Sequence, residues 1–260
     1  MFKHVKELIC YKSMIQSFIK KEVRGRYKGS ILGFLWNFIT PLMQIVVYIM
    51  VFTIVFRPNI DNYAIYLIVG MVPWIFFSES ISSGSGSIIN NSELVKKIYF
   101  PRTVLPISTV MSKFVNYIIS TCISFAIILV MGFNLNWQPL LLLPFAMLLI
   151  LIFSIGLSLL LSAIDTYLRD IEYIVNVVLM VLIWMTPIMY VREQFNSELF
   201  NFILSINPVT YFIEFFQDII YFGIVPDIIS IITCTCFAFG ALLIGLIIFY
   251  KLEPDFAEVL

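Results

Sequence analysis

The chain has 260 residues, of which 61% are hydrophobic and only 12% charged, and its 16 basic residues balance its 16 acidic ones. Soluble domains carry roughly twice this charged fraction, so the composition excludes an ordinary soluble enzyme or binding domain. Apolar runs of about 20 residues recur without the alternation typical of barrel strands, and each is long enough to cross a bilayer. Because a helix satisfies its own backbone hydrogen bonds in lipid, the sequence predicts an all-α integral membrane protein.

Six transmembrane helices are expected in a single domain that covers residues 1–260. The membrane region spans residues 31–250, with helices at about 31–56, 62–83, 103–132, 139–163, 171–190 and 228–250. Lysine and arginine gather before the first helix, between the second and third, and near Arg169 and Lys251, whereas Arg57 and Arg192 lie on the other side. Since basic loops stay in the cytoplasm, we expect both termini there.

An amphipathic helix is predicted over residues 4–24, within a cytoplasmic interface segment that covers 4–28. Its apolar residues recur every three or four positions, and its lysines lie mostly on the other face. That pattern is typical of a helix in the membrane surface, with its cations against anionic lipid heads.

Two predicted membrane helices carry a stripe of polar residues along one face. In the first helix the stripe recurs at helical spacing and consists of Gly33, Asn37, Thr40, Gln44 and Tyr48. The third helix repeats the pattern with Lys113, Asn116 or Tyr117, Ser120 and Ser124. Polar groups are costly in lipid, so these faces contact protein or water. Helix packing and the lining of a polar route both explain the stripes.

The segment between the second and third helices predicts a docking element. A Ser/Gly run forms a flexible break, and a short helix capped by Ser92 and ended by Pro101 follows it. Leu94, Val95, Ile98 and Tyr99 would share one face of this helix. It could dock into a groove of a partner or be an inert surface helix. In the loop before the fifth helix, Asp165 and Arg169 are spaced to form an ion pair.

Residues 207–223 read "NPVTYFIEFFQDIIYFG", which is too apolar for a solvated loop and too short for a membrane span. We predict short re-entrant helices here, with Glu214 and Asp218 on one face. Carboxylates at this spacing can do acid–base chemistry, but no nucleophile or metal set accompanies them. A hydrated lip at the outer membrane surface is the simpler interpretation.

Neither a metal nor a nucleotide is expected on this chain. Cys234 and Cys236 lack further ligands at zinc spacing, and no phosphate-binding G-x-x-x-x-G-K-[ST] loop occurs in the sequence. Acidic residues are almost absent from the middle of the predicted helices, which disfavours an ion-coupled carrier and favours an energy source in a partner.

The segments "RYKGSILGFLWNFITPL", "LVKKIYFPRTVLP", "YLRDIEYIV", "TPIMY", "INPVTYFIEFFQDIIYFG" and "FAEVL" occur in this order. Together they resemble the membrane subunit of ABC-2-type exporters of lipid-linked polysaccharides, which include O-antigen, capsule and teichoic-acid transporters. The resemblance implies a non-enzymatic permease of the bacterial cell membrane that pairs with itself. Two cytoplasmic ATPase subunits would hold the ATP and magnesium, and the cargo would be an undecaprenyl-linked glycan. Lipids and this glycan are the other expected partners, and nucleic acid is not expected.

The resemblance also assigns roles to residues. The coupling segment would cover residues 85–102, with ATPase contacts at Glu93, Leu94, Lys96, Lys97, Ile98, Tyr99 and Pro101. Gate helices over 206–224 would carry Tyr211, Phe212, Phe215 and Phe216. Arg24, Arg26 and Lys28 could hold the pyrophosphate of the substrate or lipid heads. Channel-lining candidates are Trp36, Asn37, Thr40, Gln44, Tyr48, Trp74, Phe77, Asn116, Ser120 and Trp184.

Three alternatives remain open at this point. An ABC-2 exporter of drugs or peptides would have the same fold and a more apolar route. A membrane-embedded glycan-processing enzyme would depend on Glu214 and Asp218, and an ion-coupled flippase would work without an ATPase.

Overall fold

A computed structural model describes residues 11–25, 35–51, 60–192 and 198–260, and every regular element in these ranges is helical. The helices are α1 (Lys12–Gly25), α2 (Trp36–Val51), α3 (Tyr63–Ser85), α4 (Ser92–Lys97), α5 (Val104–Val130), α6 (Trp137–Leu140), α7 (Leu143–Asp165), α8 (Ile171–Leu182), α9 (Glu198–Ile206), α10 (Pro208–Gln217), α11 (Ile228–Leu252) and α12 (Phe256–Val259). Short 3₁₀ turns at Ile89–Asn91 and Glu253–Asp255 precede α4 and α12, and a π-helical turn at Asp218–Phe222 follows α10.

Four of these helices are long and apolar enough to cross a membrane. They are α3, α5, α7 and the continuous segment Ile228–Asp255 that begins with α11. They coincide with the second, third, fourth and sixth predicted spans, so the all-helical membrane fold is confirmed.

The prediction of six spans is not confirmed. In the described part of the chain, the other two predicted spans are represented by shorter apolar helices, Leu42–Val51 within α2 and Ile171–Leu182. Residues 26–34 and 52–59, which flank α2, lie outside the described residues. The fifth predicted span ends at Leu182 rather than near residue 190. Pro187 explains this early end, because proline lacks an N–H donor and disfavours helical geometry in the residue before it.

Helix α3 is the centre of the bundle. In its most apolar stretch 78% of the residues are buried, against 17% for the stretch in α11. It packs on α5, α7 and α10, and stacked rings join these helices: the ring centroids of Phe77 and Phe153 lie 5.7 Å apart, and those of Phe153 and Phe212 lie 4.9 Å apart.

Helices α7 and α11 contact each other backbone to backbone. A Cβ atom added at Gly156 would lie 2.3 Å from the Leu242 nitrogen, and one added at Gly245 would lie 2.2 Å from the Gly156 carbonyl oxygen. Small residues let membrane helices approach this closely. Glycine at these two positions therefore sets the distance between α7 and α11.

A second apolar cluster lies at the end of the bundle that carries α4. We call it the α4 cluster; its buried members are Ile88, Val95, Phe100, Val104, Leu105, Leu159, Ala163, Phe249 and Phe256. Helix α1 packs its apolar face, including Met14, Ile15 and Phe18, against this cluster, while Lys12, Lys20 and Lys21 are exposed. The contact of α1 with a membrane surface stays a prediction, and residues 4–10 lie outside the described residues.

Candidate functional site

An open cavity of about 520 Å³ lies between α2, α3, α5 and α8. Its walls combine aromatic rings with hydroxyl, amide and charged groups, from Gln44, Tyr48, Trp74, Ser78, Glu79, Ser82, Ser83, Lys113, Asn176, Leu179, Met180, Ile183 and Trp184. Polar side chains on membrane helices are costly unless they face protein or water. This concentration of polar groups therefore marks the cavity as the candidate functional site.

The aromatic part of the cavity comes from three separate segments of the chain. Trp74 is buried on α3 beside Phe77, whereas Trp184, just beyond α8, is 54% exposed. Tyr48 is half-buried on α2. Flat apolar rings next to hydrogen-bonding groups suit a ligand that has both apolar faces and hydroxyl groups.

An ion pair forms the charged part of the cavity. The Lys113 ammonium nitrogen lies 2.9 Å from a carboxylate oxygen of Glu79. The Lys113 side chain is 4% exposed and the Glu79 side chain is 42% exposed. Glu79 lies six residues before the end of α3, which is about 9 Å along the helix axis. The pair therefore lies in the part of the bundle nearest to the α4 end.

A turn held by side chains positions Trp184. Residues 183–190, which we call the Thr186 turn, follow α8, and residues 186–189 are buried. The Tyr190 hydroxyl donates to the Trp184 carbonyl at 2.9 Å. Asn207 donates to the Met185 carbonyl at 3.0 Å, and its own side chain accepts from the Val209 N–H to cap α10.

Helices α3 and α10 supply the other hydrogen-bond donors to the Thr186 turn. Tyr63 donates to the Met189 carbonyl at 3.0 Å, and Tyr66 donates to the carbonyls of Pro187 at 3.1 Å and Tyr190 at 2.9 Å. Gln217 also donates to the Pro187 carbonyl at 2.8 Å. Buried backbone groups need partners, so these contacts let an irregular segment exist inside the bundle.

The α10 end of the bundle carries the remaining carboxylates of interest. A guanidinium nitrogen of Arg192 lies 3.8 Å from a Glu214 carboxylate oxygen. Burial raises the pKa of Glu214 to about 7, and the attraction of Arg192 only partly offsets this. Burial and the nearby Asp227 raise the pKa of Asp218 to about 6. The described residues contain no group of three or more potential metal ligands.

At the α4 end the C-terminal segment packs under the loop between α4 and α5. The backbone N–H of Arg102 donates to a Glu253 carboxylate oxygen at 3.1 Å. The Arg102 guanidinium lies over the Phe256 ring, 5.8 Å from the ring centroid. Phe256 is fully buried. By contrast, Tyr99 is 95% exposed and Ile98 is also exposed. An apolar tip therefore projects from a rigidly packed base.

Comparison with known proteins decides the family. A model of the family described as ABC-2 type transporter matches residues 14–221. The chain belongs to the ABC-2 type transporter family. It is 32% identical to the O-antigen export system permease protein RfbA of Myxococcus xanthus over 259 residues, which is 99% of each chain. It is also 32% identical over 208 residues to a protein of the same name from Klebsiella pneumoniae, covering 80% of this chain and 79% of the relative.

Membership in the ABC-2 family makes this chain a membrane permease subunit, and such subunits are not enzymes themselves. The resemblance found in the sequence is thereby confirmed at the level of the family.

The structure brings several of the predicted channel residues together. Gln44, Tyr48, Trp74 and Trp184 line the cavity. Asn116 and Ser120 line a neighbouring crevice of about 40 Å³, which shares Glu79 and Lys113 with it.

Other channel candidates lie elsewhere. Phe77 is buried in the core against Phe153. Trp36 and Thr40 are exposed on α2, outside the lining of the cavity. The side chain of Asn37 lies outside the described residues.

The coupling residues predicted from the sequence differ in their environments. Helix α4 ends at Lys97, and Ile98 follows it in extended backbone. Ile98 and Tyr99 therefore lie beyond the helix instead of sharing its face. Leu94 and Pro101 are half-buried, and Glu93, Lys96 and Lys97 are exposed. Ser92 is the first residue of the helix, not its cap. The predicted pairing of Asp165 with Arg169 is replaced by a hydrogen bond from the Glu172 N–H to the buried Asp165 carboxylate, at 3.2 Å.

The gate candidates lie mostly inside one subunit. Phe212, Phe215 and Phe216 are buried, with at most 1% of each exposed. Tyr211 is half-buried and its hydroxyl donates to the Ser205 carbonyl at 3.0 Å. Their role as a gate stays a prediction. Of the three predicted anion-binding cations, Arg26 and Lys28 and the side chain of Arg24 lie outside the described residues.

Several cavity residues were missed by sequence reasoning, among them three serines and one asparagine. Ser82 and Ser83 belong to α3, which continues to Ser85, whereas the sequence interpretation placed a flexible break there. Ser78 belongs to the same helix and lay within the second predicted span. Asn176 is a single amide in the otherwise apolar α8. A lone polar residue in such a helix was the available signal.

Proposed function

We propose that this protein is the permease subunit of an ATP-driven exporter that moves an undecaprenyl-linked polysaccharide out of the cytoplasm. The observation that carries the proposal is the cavity of about 520 Å³, in which tryptophan rings lie beside hydroxyl, amide and carboxylate groups. Sugar rings have apolar faces and hydroxyl edges, and they match such a surface. The relatives named O-antigen export permeases support the same cargo class.

The energy for transport comes from two separate cytoplasmic ATPase subunits, which bind the ATP and magnesium. The exposed tip at Ile98 and Tyr99 supports this, because an apolar projection on a packed base suits a groove in a partner. The α4 cluster connects that base to the ends of α5, α7 and α11. Movement of the ATPase would therefore reach the membrane helices.

The working unit is a homodimer in the bacterial cell membrane, with both termini in the cytoplasm. The exposed apolar surfaces of α2 and α8, including Met43, Val47, Val178 and Val181, support contacts with a second copy or with lipid. The cavity is open at one side in a single copy. In a dimer the cavities of the two copies would join and enclose a continuous path.

The test is an export assay in cells that lack their own O-antigen permease and that carry this chain with its ATPase. Surface polysaccharide is measured for the wild type and for Trp184→Ala, with Trp137→Ala as a matched control. Trp137 is 74% exposed on α6, far from the cavity lining. We expect Trp184→Ala to lower export about fivefold, since one ring contact is worth on the order of 1 kcal/mol, and Trp137→Ala to leave it unchanged.

Absence of surface polysaccharide with the folded wild-type complex would contradict the proposal. Copurification of the chain without an ATPase, in an active state, would contradict the assignment of the energy source. Efflux of apolar drugs without glycan export would instead favour the ABC-2 exporter of drugs or peptides.

A further inference from the structure

A short turn between α11 and α12 lies between two loops at the α4 end of the bundle. We call it the Glu253 turn; it consists of residues 252–256. On one side is the loop between α4 and α5, which carries the exposed tip, and on the other side is the loop between α7 and α8. The Glu253 turn lies beyond the close contact of α11 with α7 at Gly245, so that contact does not hold it.

Arg102 holds the Glu253 turn from the side of the tip. Its backbone N–H donates to a Glu253 carboxylate oxygen at 3.1 Å, and its guanidinium donates to the Glu253 carbonyl. The same guanidinium lies over the Phe256 ring, 5.8 Å from the ring centroid. A planar guanidinium can donate hydrogen bonds from its edge while its face contacts a ring, which a lysine ammonium cannot do. Arg102 therefore fixes both the position and the orientation of the turn relative to the loop.

Tyr167 holds the Glu253 turn from the side of α8. Its hydroxyl donates to the Leu252 carbonyl at 3.2 Å and lies 3.4 Å from an Asp255 carboxylate oxygen. Its ring meets the Phe256 ring edge to face, with 6.3 Å between the ring centroids. Phe256 is fully buried, and its ring is a shared contact of Arg102 and Tyr167. The two loops are thereby joined through one turn.

Each loop leads directly to an element of the proposed function. Arg102 follows Tyr99 of the tip by three residues, and Tyr167 precedes the start of α8 at Ile171 by four. Helix α8 in turn lines the cavity from Asn176 onward. A short path of contacts therefore connects the tip with one wall of the cavity.

We propose that the Glu253 turn couples the exposed tip to α8, with Arg102 and Tyr167 as the positioning residues on its two sides. When an ATPase displaces the tip, the turn carries the loop before α8 along, and this wall of the cavity moves. The inference rests on the proposed function, in which the tip docks in the ATPase, and adds to it a route from the tip to the cavity. The α4 cluster reaches α5, α7 and α11 by apolar packing, whereas the Glu253 turn reaches α8 through hydrogen bonds and ring contacts.

The experiment measures how much polymer is transported for each ATP hydrolysed. Purified complexes of this chain with its ATPase are reconstituted in liposomes that contain a mannose polymer on the undecaprenyl carrier. ATP is added outside, and the polymer moved into the lumen and the phosphate released are measured in the same sample. A merely structural role would lower both quantities together, through a smaller amount of folded complex, and would leave their ratio unchanged.

We expect Tyr167→Phe and Arg102→Lys each to lower the transported polymer per ATP about fivefold, the low end of typical coupling between two sites. Tyr167→Phe keeps the ring and loses only the hydroxyl of a side chain that is 37% exposed, so folding should change little. Tyr173→Phe is the matched control for the first variant, since Tyr173 is 73% exposed on α8. Arg169→Lys is the control for the second, since Arg169 is exposed in the loop that carries Tyr167. Both controls should give the wild-type ratio.

The double variant Tyr167→Phe with Arg102→Lys tests whether the two residues act in one route. Two independent losses would multiply to about 25-fold. Contacts in series give a smaller loss, because one broken contact already interrupts the route. We therefore expect the ratio of the double variant to stay close to that of the single variants.

A wild-type ratio in either single variant would overturn the inference and would favour the direct contact of α8 with α3, through Ser82 and Asn176, as the route. A multiplied loss in the double variant would overturn it as well. If Arg102→Lys does not assemble with the ATPase, Tyr167→Phe decides alone. A folded wild-type complex that hydrolyses ATP and transports no polymer would overturn the proposed function itself, whereas unchanged ratios in the variants would overturn only the inference.

Discussion

The α4 cluster and the Thr186 turn lie at different ends of the bundle, and the chain leaves its helical conformation at both. In the α4 cluster the loops around Phe100 and Phe256 are held mainly by apolar packing. In the Thr186 turn the carbonyls of Met185, Pro187 and Met189 each accept a hydrogen bond from a side chain of another element. The difference follows from access to water: loop groups at the α4 end are partly exposed, whereas residues 186–189 are buried, and buried carbonyls need protein donors.

The largest expected effect comes from the α4 cluster. Replacing Phe256 by alanine removes a fully buried ring and should lower the free energy of unfolding by about 3–5 kcal/mol. The measurement is unfolding of the purified chain in detergent micelles. Phe239→Ala is the control, since that ring is exposed on α11, and a similar loss in both variants would show that the cluster does not stabilise this end.

The Thr186 turn should respond to loss of a single hydroxyl. Tyr66→Phe removes the donor to the carbonyls of Pro187 and Tyr190, and Gln217 still satisfies Pro187. We expect a loss of about 1–2 kcal/mol, because a buried hydroxyl donor to the turn is removed. Tyr99→Phe, at an exposed hydroxyl, should be neutral. Tryptophan fluorescence should also report a displaced Trp184 in Tyr66→Phe, and an unchanged spectrum and stability would contradict the role of the turn.

Buried carboxylates should make the stability of the α10 end depend on pH. Burial raises the pKa of Glu214 from its ordinary value near 4.5 to about 7, so the folded state binds its proton more tightly than the unfolded state. The free energy of unfolding should therefore fall as pH rises from about 5 to 7 and level off above. We expect the Tm to drop by a few degrees over this range.

Glu214→Gln should reduce this dependence but not abolish it, because the raised pKa of Asp218 acts in the same direction over the same range. Glu93→Gln should retain the full dependence. The idea fails if the Tm rises with pH over the same window, or if Glu214→Gln keeps the slope of the wild type.

The smallest effect is expected at the surface of α4. The Glu93–Lys97 pair is spaced i,i+4 and both side chains are more than 70% exposed. Glu93→Gln should change the free energy of unfolding by no more than about 0.5 kcal/mol. A loss above 1 kcal/mol in the same unfolding assay would mean that α4 depends on this pair and not on the apolar cluster beneath it.

The four long helices could be predicted because a continuous apolar run of sufficient length has few alternatives in a membrane protein. The early end of α8 could not be predicted in the same way. The sequence signal for this end, Thr186–Pro187, lies inside an apolar run. The hydrogen-bond donors that stabilise the turn are 30 to 126 positions along the chain from the carbonyls that accept from them; they are Tyr63, Tyr66 and Gln217. A local pattern does not contain that information.

The cavity shows the same difference between features that a local pattern predicts and features that depend on distant residues. Helical spacing predicted that Gln44 and Tyr48 share a face, and both line the cavity. The Glu79–Lys113 pair joins residues 34 positions apart, and the sequence analysis named only Lys113, in the polar stripe of the third predicted helix. Two opposite charges near the same end of adjacent helices were the signal that could have linked them.

The contact between Gly156 and Gly245 has a mechanical consequence. Because the backbones of α7 and α11 touch there, neither helix can slide past the other without a collision of main-chain atoms. Helix α3 packs along α7, so one wall of the cavity belongs to a stack of three closely packed helices. Helices α2 and α8, on the opposite side of the cavity, have far fewer contacts with this stack. If the width of the cavity changes, we therefore expect the change on the side of α2 and α8, whereas Trp74 and Glu79 belong to the closely packed wall.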